Sequence, residues 1–319
     1  KQQTSSAMKR IGNLYEKVCS IENLQLADEK ARKGKLRTYG VIEHDKNRED
    51  NLLKLRETLL NGTFHTSKYD VFTIYEPKER EIYRLPYFPD RILHHAIMNV
   101  LEPIWVSTFT ADTYSCIKNR GIHAAAKKVK QALREDPEGT TFCLKLDIRK
   151  FYPSINHDVL KSILRRKLKD KRLLCLLVEI VDSADGVPIG NYLSQYFANL
   201  YLTYFDHWIK EQKGVKYYFR YADDIVILAP DKAYLHSLMG EIRAYLGDLK
   251  LEVKGNWQVF PVAARGIDFV GYVFFHTHTR MRKGIKKTFC RRLAKLYKRK
   301  RPLSEKDFKH AICPWWGWG

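Results

Sequence analysis

Two adjacent carboxylates, Asp223 and Asp224, lie between two apolar runs that are rich in β-forming residues, 217–220 and 225–228. This order predicts a β-hairpin with both carboxylates at its tip. Such groups do not pack in a core, so each must be hydrated, paired with a cation or bound to a metal. A tight turn between strands would suit Mg²⁺, which prefers hard oxygen ligands. A solvated turn is the simpler alternative, because Asp is a common turn residue.

A third carboxylate, Asp147, ends a mostly apolar run at 141–146 that is typical of a buried strand. A two-metal phosphoryl-transfer site needs oxygen ligands from at least two segments, with the ions roughly 3.5–4 Å apart. Asp147 and Asp223 would supply those ligands if strand 141–146 pairs beside the hairpin. For Asp147 alone, a helix N-cap or a loop turn is the alternative.

The charge of the chain favours a polyanionic partner. Its 319 residues include 57 Lys or Arg and 36 Asp or Glu, which gives a net charge of +21. The segment 280–301 holds twelve Lys or Arg and no acidic residue. Because like charges repel, such a cluster favours a nucleic acid nearby, with a solvated helix face as the alternative.

Several classes of protein are disfavoured by the sequence. The six cysteines have no C-x-x-C spacing, which excludes zinc ribbons and fingers and predicts reduced thiols in a cytoplasm. No run of 18 apolar residues is present, so we expect no membrane span. No signal-peptide pattern is visible either, and we expect a cytoplasmic protein.

Hydrophobic periodicity predicts an α+β fold rather than alternating βαβ units. The predicted helices are 11–33, 46–60, 90–104, 121–134, 156–169, 171–182, a long helix that follows the 186–190 turn and ends near 211, and 231–247. The predicted strands are 69–75, 81–85, 141–146, the two strands of the 216–229 hairpin, and segments near 251–261 and 268–275. Residues 1–7 are assigned no fold.

The motifs resemble the palm of a reverse transcriptase. Residues 146–155 read Leu-Asp-Ile-Arg-Lys-Phe-Tyr-Pro-Ser-Ile, and Tyr-Ala-Asp-Asp follows at 221–224. Segments 186–195, 249–254 and 266–272 also come in the family's order. The resemblance covers nearly the whole chain and implies an RNA-directed DNA polymerase with the right-hand fold. Its implied parts are an N-terminal helical extension (1–45), fingers (46–140), a palm with an RRM-like antiparallel sheet (141–275) and a basic thumb (276–319), whose completeness the sequence leaves open.

The segment 186–195 narrows this resemblance. Most reverse transcriptases carry Gln-Gly and then Ser-Pro there, whereas this chain has Ile189-Gly190 and Ser194-Gln195. That variant resembles the reverse transcriptases of diversity-generating retroelements, from a bacterial, phage or archaeal host. It implies cDNA synthesis that is error-prone opposite template adenine, as in mutagenic retrohoming. A retron or group II intron-like enzyme of ordinary fidelity and a catalytically silent RNA-binding scaffold are the alternatives.

The resemblance assigns the metal ligands. Asp147, Asp223 and Asp224 would be the catalytic carboxylates, assisted by the backbone carbonyl of Ile148. They would hold two Mg²⁺ ions, for which Mn²⁺ can substitute.

The resemblance also assigns contacts to the incoming dNTP. Tyr152 would be the steric gate against a 2′-hydroxyl, with packing on the palm as the alternative. Arg80 and Lys78, and more weakly Arg84, would contact the triphosphate. Lys254 would protonate the leaving pyrophosphate, with Lys250 as its competitor and a plain surface lysine as the alternative.

The resemblance assigns three residues of the segment 186–195 to the same nucleotide site. Ile189 replaces a Gln that elsewhere contacts the nucleotide, although it could instead be a core filler. Gly190 permits a close backbone approach. Gln195, where most of the family has Pro, would act as a cap or hydrogen-bond near the template strand.

The implied partners are a template RNA, the RNA/cDNA hybrid, dNTPs and a small basic helical accessory protein that forms a pentameric barrel. Lys118 and Arg120 precede a predicted helix and would contact the template backbone. The basic thumb would contact the duplex through Arg282, Lys286, Lys287, Arg291 and Arg292.

Overall fold

The computed structural model describes residues 10–75, 79–298 and 304–316. The predicted triphosphate contact Lys78 lies outside the described residues. Within them the mixed class of helix and sheet is confirmed, and every paired strand is antiparallel.

The helices of the described residues follow the amphipathic spacing of the sequence. In chain order they are α1 (Tyr15–Cys19), α2 (Ile21–Ala31), α3 (Tyr39–Asp45), α4 (Arg48–Asn61), α5 (Ile92–Val106), α6 (Ile122–Glu135), α7 (Phe151–Ser154), α8 (His157–Lys167), α9 (Lys171–Val181), α10 (Tyr192–Tyr201), α11 (Thr203–His207), α12 (Lys232–Asp248), α13 (Val262–Arg265), α14 (Lys283–Tyr297) and α15 (Glu305–Trp316). Two π-helical turns cover Tyr87–Arg91 and Trp208–Gln212. None of the described helices is both long and apolar enough to span a membrane.

The strands of the described residues form three separate sheets. They are β1 (Asp70–Ile74), β2 (Arg80–Arg84), β3 (Phe142–Asp147), β4 (Tyr217–Tyr221), β5 (Asp224–Ala229), β6 (Gln258–Pro261), β7 (Ile267–Phe269), β8 (Tyr272–Phe274) and β9 (Thr279–Met281). β1 pairs with β2, the second sheet has the order β4-β5-β3-β6, and the third has the order β7-β8-β9. The predicted hairpin and the predicted strand beside it are therefore adjacent in one sheet.

The chain forms two compact units, and segments of the two alternate along the sequence. Among the described residues, the first comprises 10–75, 79–110, 149–207 and 245–252. Its core surrounds α5, which packs on α1, α2 and α10. A fully buried carboxylate, Asp28, accepts hydrogen bonds from Arg32, Arg48 and the hydroxyl of Tyr87, and so links α2 to α4 and to the π-helical turn 87–91.

The second unit comprises the described residues 111–148, 208–244, 253–298 and 304–316. The apolar face of α6, including Ala125, Val129 and Leu133, forms one core with the interior of the β4-β5-β3-β6 sheet. Phe219 and Val226 are among the strand residues of that core. Burial of this face holds the sheet that carries Asp147 and Asp223.

Four element predictions are wrong in detail. The strand predicted near 268–275 is two strands, β7 and β8, which pair antiparallel. The single helix predicted at 11–33 is two helices, because Ser20 adopts an extended conformation and caps α2 through a hydrogen bond from Asn23 N–H. The long helix predicted to end near 211 is divided into α10, α11 and a π-helical turn. The strand predicted near 251–261 begins only at Gln258. The predicted boundaries of fingers, palm and thumb, and the RRM-like character of the sheet, stay predictions.

Candidate active site

The strand register brings the predicted carboxylates to one end of the sheet. Asp147, the last residue of β3, pairs with Asp224, the first residue of β5. Asp223 lies in the two-residue turn that joins β4 to β5. The backbone N–H of Ile148 donates to the Asp223 carbonyl over 3.3 Å. Asp147 and Asp223, which are 76 positions apart in the sequence, therefore meet at one end of the sheet.

The turn is held by a buried arginine. Ala222 has φ of 54°, a left-handed conformation that non-glycine residues rarely adopt. The Arg220 side chain is 0% exposed and donates from Nη1 to the Ala222 carbonyl over 3.0 Å. The backbone of Arg220 bonds in turn to Asp112 and Tyr114, over 3.0 Å in each case. These contacts offset the backbone strain at the turn.

Charge repulsion and burial alter the acidity of the turn carboxylates. Burial raises the pKa of Asp223 to about 6, and the neighbouring charge of Asp147 adds to the effect. Burial also raises the pKa of Asp224, although the ammonium of Lys145 opposes that shift. A cation near Asp147 and Asp223 would relieve the repulsion between them.

Two lysines lie against the carboxylates. Lys254 Nζ is 2.7 Å from Oδ2 of Asp147, and the Lys254 backbone N–H donates to the Asp147 carbonyl over 2.8 Å. Lys145 Nζ donates to Oδ1 of Asp224 over 2.5 Å. The competitor of Lys254, Lys250, is exposed and belongs to the other compact unit.

The donor set of Asp147 and Asp223 fits a divalent cation. Oδ1 of Asp147 is buried and has no hydrogen-bond partner among the described residues. Such an oxygen beside a second, repelled carboxylate is what a hard cation would stabilise. In the described part of the chain no group of three or more His, Cys, Asp or Glu is placed to hold a metal. The roles of Asp224 and of the Ile148 carbonyl stay predictions.

Backbone contacts of the turn 186–190 link three of the predicted dNTP contacts of the first unit, Tyr152, Ile189 and Gly190. Val187 N–H donates to the Tyr152 carbonyl over 2.9 Å, and Tyr83 N–H donates to the Ile189 carbonyl over 2.9 Å. A Cβ on Gly186, whose φ is 60°, would lie 2.6 Å from the Pro153 carbonyl oxygen. The turn therefore joins β2 to the segment that carries Tyr152.

The predicted nucleotide contacts around this turn differ in how closely they are packed and in how exposed they are. A Cβ on Gly190, whose φ is 119°, would lie 3.0 Å from the Tyr83 carbonyl oxygen, so the backbone approach is close. Ile189 and Tyr152 are half-buried. Arg80 is exposed at the start of β2, and Gln195 is exposed on α10.

The predicted nucleic-acid contacts of the second unit are mostly exposed. Lys118 is exposed and Arg120 half-buried in the loop before α6. Lys286, Lys287, Arg291 and Arg292 are exposed on α14. Arg282 differs from these, because its guanidinium donates to Asp268 over 2.7 Å.

Sequence reasoning missed Arg220 and Lys145. Strand alternation contained a signal for Lys145, since it lies two positions before Asp147 and so faces the same side of β3. An arginine within an apolar run was the signal for Arg220, because an arginine in a buried strand needs acceptors.

The family comparison decides what kind of site this is. The model of the family described as "Reverse transcriptase (RNA-dependent DNA polymerase)" matches residues 76–274, more than half of the chain. The chain belongs to this family. Its site is therefore that of an RNA-directed DNA polymerase, and β3 and the Tyr-Ala-Asp-Asp hairpin both lie in the matched region.

Curated relatives include a group II intron-encoded protein and an intron maturase. Protein YkfC of Escherichia coli is 26% identical over 274 residues, which cover 71% of this chain and 71% of YkfC. Group II intron-encoded protein LtrA of Lactococcus lactis is 23% identical over 191 residues, which cover 55% of this chain and 31% of LtrA. Nuclear intron maturase 4 of Arabidopsis thaliana is 27% identical over 161 residues, which cover 48% of this chain and 20% of the maturase.

Solved structures of Candida tropicalis telomerase have a similar fold. The apo enzyme has a TM-score of 0.50 at 12% identity, with 68% of this chain and 49% of the telomerase chain covered. Telomerase in complex with the TWJ fragment of telomeric RNA has a TM-score of 0.52 at 12% identity, with 78% and 52% covered. The chain thus spans about half of the telomerase chains, and at this identity the likeness shows the fold alone.

Proposed function

We propose that this protein is the reverse transcriptase of a diversity-generating retroelement, which copies a template RNA into cDNA with errors opposite adenine. The observation that supports catalysis is the pair Asp147 and Asp223, with a raised pKa at Asp223 and an unpartnered buried oxygen on Asp147. The observation that supports low fidelity is the apolar Ile189 where most of the family has Gln.

In this proposal each residue of the site has a separate chemical role. Asp147 and Asp223 would hold two Mg²⁺ ions, or Mn²⁺, which would stabilise charge on the attacking 3′-oxygen and the leaving pyrophosphate. Lys254, already beside Asp147, would donate a proton to the pyrophosphate. Lys145 would hold Asp224 in place.

Nucleotide selection would depend on the first unit. The Tyr152 ring would exclude a 2′-hydroxyl, and exposed Arg80 would contact the triphosphate. Ile189 offers no hydrogen bond to the incoming nucleotide, so the geometry of the new base pair is less constrained. Gly190 keeps the backbone close to that pair.

The partners follow from the same proposal. The exposed cations of α14, namely Lys286, Lys287, Arg291 and Arg292, would contact the RNA/cDNA duplex, and Lys118 and Arg120 would contact the template backbone. Half-buried Ile285, Phe289, Leu293 and Leu296 form an apolar stripe on the same helix. A small helical accessory protein forming a pentameric barrel, and a cytoplasmic location, complete the proposal.

A primer-extension assay on adenine-containing RNA tests both parts. We expect Mg²⁺-dependent cDNA synthesis with substitutions concentrated opposite adenine. Asp223→Ala should abolish synthesis, and retained synthesis would end the metal assignment. Ile189→Gln should lower errors opposite adenine while errors opposite other bases change little.

Two outcomes separate this proposal from its alternatives. Faithful copying by the unaltered enzyme would favour a retron or group II intron-like enzyme. RNA binding without any synthesis would favour a silent scaffold.

A further inference from the structure

A histidine of the first unit is bonded to two acceptors at once. His157 Nδ1 lies 3.0 Å from Oδ1 of Asp182, and His157 Nε2 lies 2.7 Å from the carbonyl oxygen of Gly186. His157 is the first residue of α8, and Asp182 follows the last residue of α9. The ring thus spans the end of one helix and the start of the turn 186–190.

The chemistry of the two partners specifies the protonation of the ring. A carboxylate and a carbonyl oxygen both accept hydrogen bonds, so both ring nitrogens must donate. A neutral imidazole has only one N–H, whereas the imidazolium has two. The geometry is therefore that of a charged His157, and loss of one proton breaks one of the two bonds.

The negative charge of Asp182 stabilises a protonated His157. Burial opposes ionisation of the Asp182 carboxyl, but Lys161 and His157 together hold its pKa below the ordinary value. Lys161 Nζ lies 2.7 Å from that carboxylate. The N-terminus of α8 disfavours a cation at its first residue, so Asp182 is the group that offsets this effect.

Other charged groups lie on α8, before the turn 186–190 and on the described helices that pack against α8. Asp158 follows His157 on α8 and is exposed, and exposed Asp185 precedes Gly186. α10, which packs on α8, carries no charged residue. On α9 the remaining charges are Lys171, Arg172 and Glu179.

The turn that His157 holds is the one that joins the nucleotide contacts. The next residue after Gly186, Val187, donates to the Tyr152 carbonyl, and Ile189 accepts from Tyr83 N–H. A displacement of the Gly186 carbonyl would therefore change the position of Tyr152, through its bond to Val187. It would also change the position of β2, through the bond between Ile189 and Tyr83.

We propose that His157 is a positioning residue for nucleotide selection, and that its imidazolium fixes the 186–190 turn through the Gly186 carbonyl. This rests on the proposed function of Tyr152 and Ile189. Because a carboxylate is a stronger acceptor than a carbonyl oxygen, a neutral His157 keeps its proton on Nδ1 and leaves the Gly186 carbonyl without its donor. The turn then loses an anchor, and the enzyme discriminates less well between nucleotides.

The first experiment tests the contact without requiring polymerase activity. Imidazole NMR, with the His157 signals assigned by their loss in His157→Gln, should show both nitrogens of His157 protonated at pH 6. Hydrogen exchange of the Val187 amide, corrected for intrinsic rates, should lose protection as His157 titrates. A neutral ring at pH 6, or protection that does not follow the titration, would overturn the proposal.

The second experiment measures discrimination as the ratio of kcat/KM for correct and incorrect nucleotides between pH 6 and 8. Because the ionisation of the primer hydroxyl affects both reactions, it cancels in the ratio. The unaltered enzyme should lose at least about threefold in this ratio as pH rises, and His157→Gln should show a low ratio at every pH.

Asp182→Asn is the decisive variant. The carboxamide that it introduces can donate to Nδ1, so a neutral His157 with its proton on Nε2 can keep both bonds. Between pH 6 and 8 we expect the discrimination ratio of this variant to stay near the value that the unaltered enzyme has at pH 6. A pH dependence like that of the unaltered enzyme would overturn the proposal.

His65→Gln is the matched control, because the His65 side chain is 83% exposed. It should behave as the unaltered protein in both experiments. If no variant and no unaltered protein extends a primer, the proposed function fails, while the NMR and exchange data still decide whether His157 anchors the turn.

Discussion

Lys254 is bound to Asp147 twice, through its side chain at 2.7 Å and through its backbone N–H at 2.8 Å. The backbone bond fixes the residue beside the end of β3, so its ammonium faces the carboxylate rather than solvent alone. Lys250, four positions earlier, is exposed. This difference in position favours Lys254 as the proton donor.

Replacing Lys254 should slow catalysis more than it affects folding. We expect Lys254→Gln to lower the single-turnover rate of nucleotide incorporation by roughly 10²-fold, because general acid catalysis contributes about that much or more. Lys250→Asn is the control and should stay within about twofold, since Asn tolerates the φ of 61° at that position. If the Lys250 variant lost more of the single-turnover rate than the Lys254 variant, Lys250 would be the proton donor.

The raised pKa of Asp223 predicts a pH-dependent stability. With a pKa of about 6 in the folded protein and about 3.9 in the unfolded chain, the folded state binds this proton more tightly. The contribution of Asp223 to the free energy of unfolding is therefore most favourable below about pH 4 and is lost as pH rises through about 6.

Asp223→Asn should remove this dependence. Without divalent cations, the variant should be more stable than the unaltered protein by up to about 3 kcal/mol at pH 7.5, and the difference should shrink towards pH 4. Mg²⁺ should stabilise the unaltered protein and not the variant. Urea unfolding in EDTA and in Mg²⁺ measures both effects; equal Mg²⁺ stabilisation of the two proteins would contradict the assignment.

Arg220 should be required for both stability and activity. Arg220→Met leaves the Ala222 carbonyl without its buried donor, and we expect a loss of about 2–3 kcal/mol in the free energy of unfolding. Because the turn carries Asp223, incorporation should also fall among molecules that remain folded. Arg243→Met is the control: Arg243 is exposed over Trp257, and its loss should cost less than about 0.5 kcal/mol.

Tyr152 should determine the choice of sugar. The half-buried ring stands against Phe151 with centroids 5.7 Å apart, and its carbonyl is fixed by Val187. Tyr152→Ala should raise the incorporation of ribonucleotides relative to deoxyribonucleotides by at least about tenfold. Tyr152→Phe keeps the ring and should preserve discrimination, so a rise in that variant would point to the hydroxyl instead.

Local patterns were sufficient for the central features of the molecule. The hairpin and β3 follow from alternating apolar residues and from a turn between them, which are properties of short segments. The pairing of β3 with the hairpin followed from the need of Asp147 and Asp223 for a common site. Helix α6 lies where its amphipathic spacing predicts it.

Other boundaries depended on capping and packing. The break at Ser20 separates α1 from α2 although the apolar spacing continues through it, because its side chain caps the second helix. Residues 251–257 form an isolated antiparallel bridge, between Val253 and Ile148, whereas β6 forms a ladder with β3. Composition alone does not reveal which of two such segments extends its pairing into a strand.

The sequence by itself determined the family motifs, the carboxylates and the basic segment, because each is a property of neighbouring residues. Only the tertiary structure decided that Lys145 binds Asp224, that Arg220 holds the Ala222 carbonyl from a buried position, and that His157 bonds both Asp182 and Gly186. The reason is physical: a buried charge or a two-sided hydrogen bond is stable only where packing supplies its partners. Several of those partners come from distant parts of the chain.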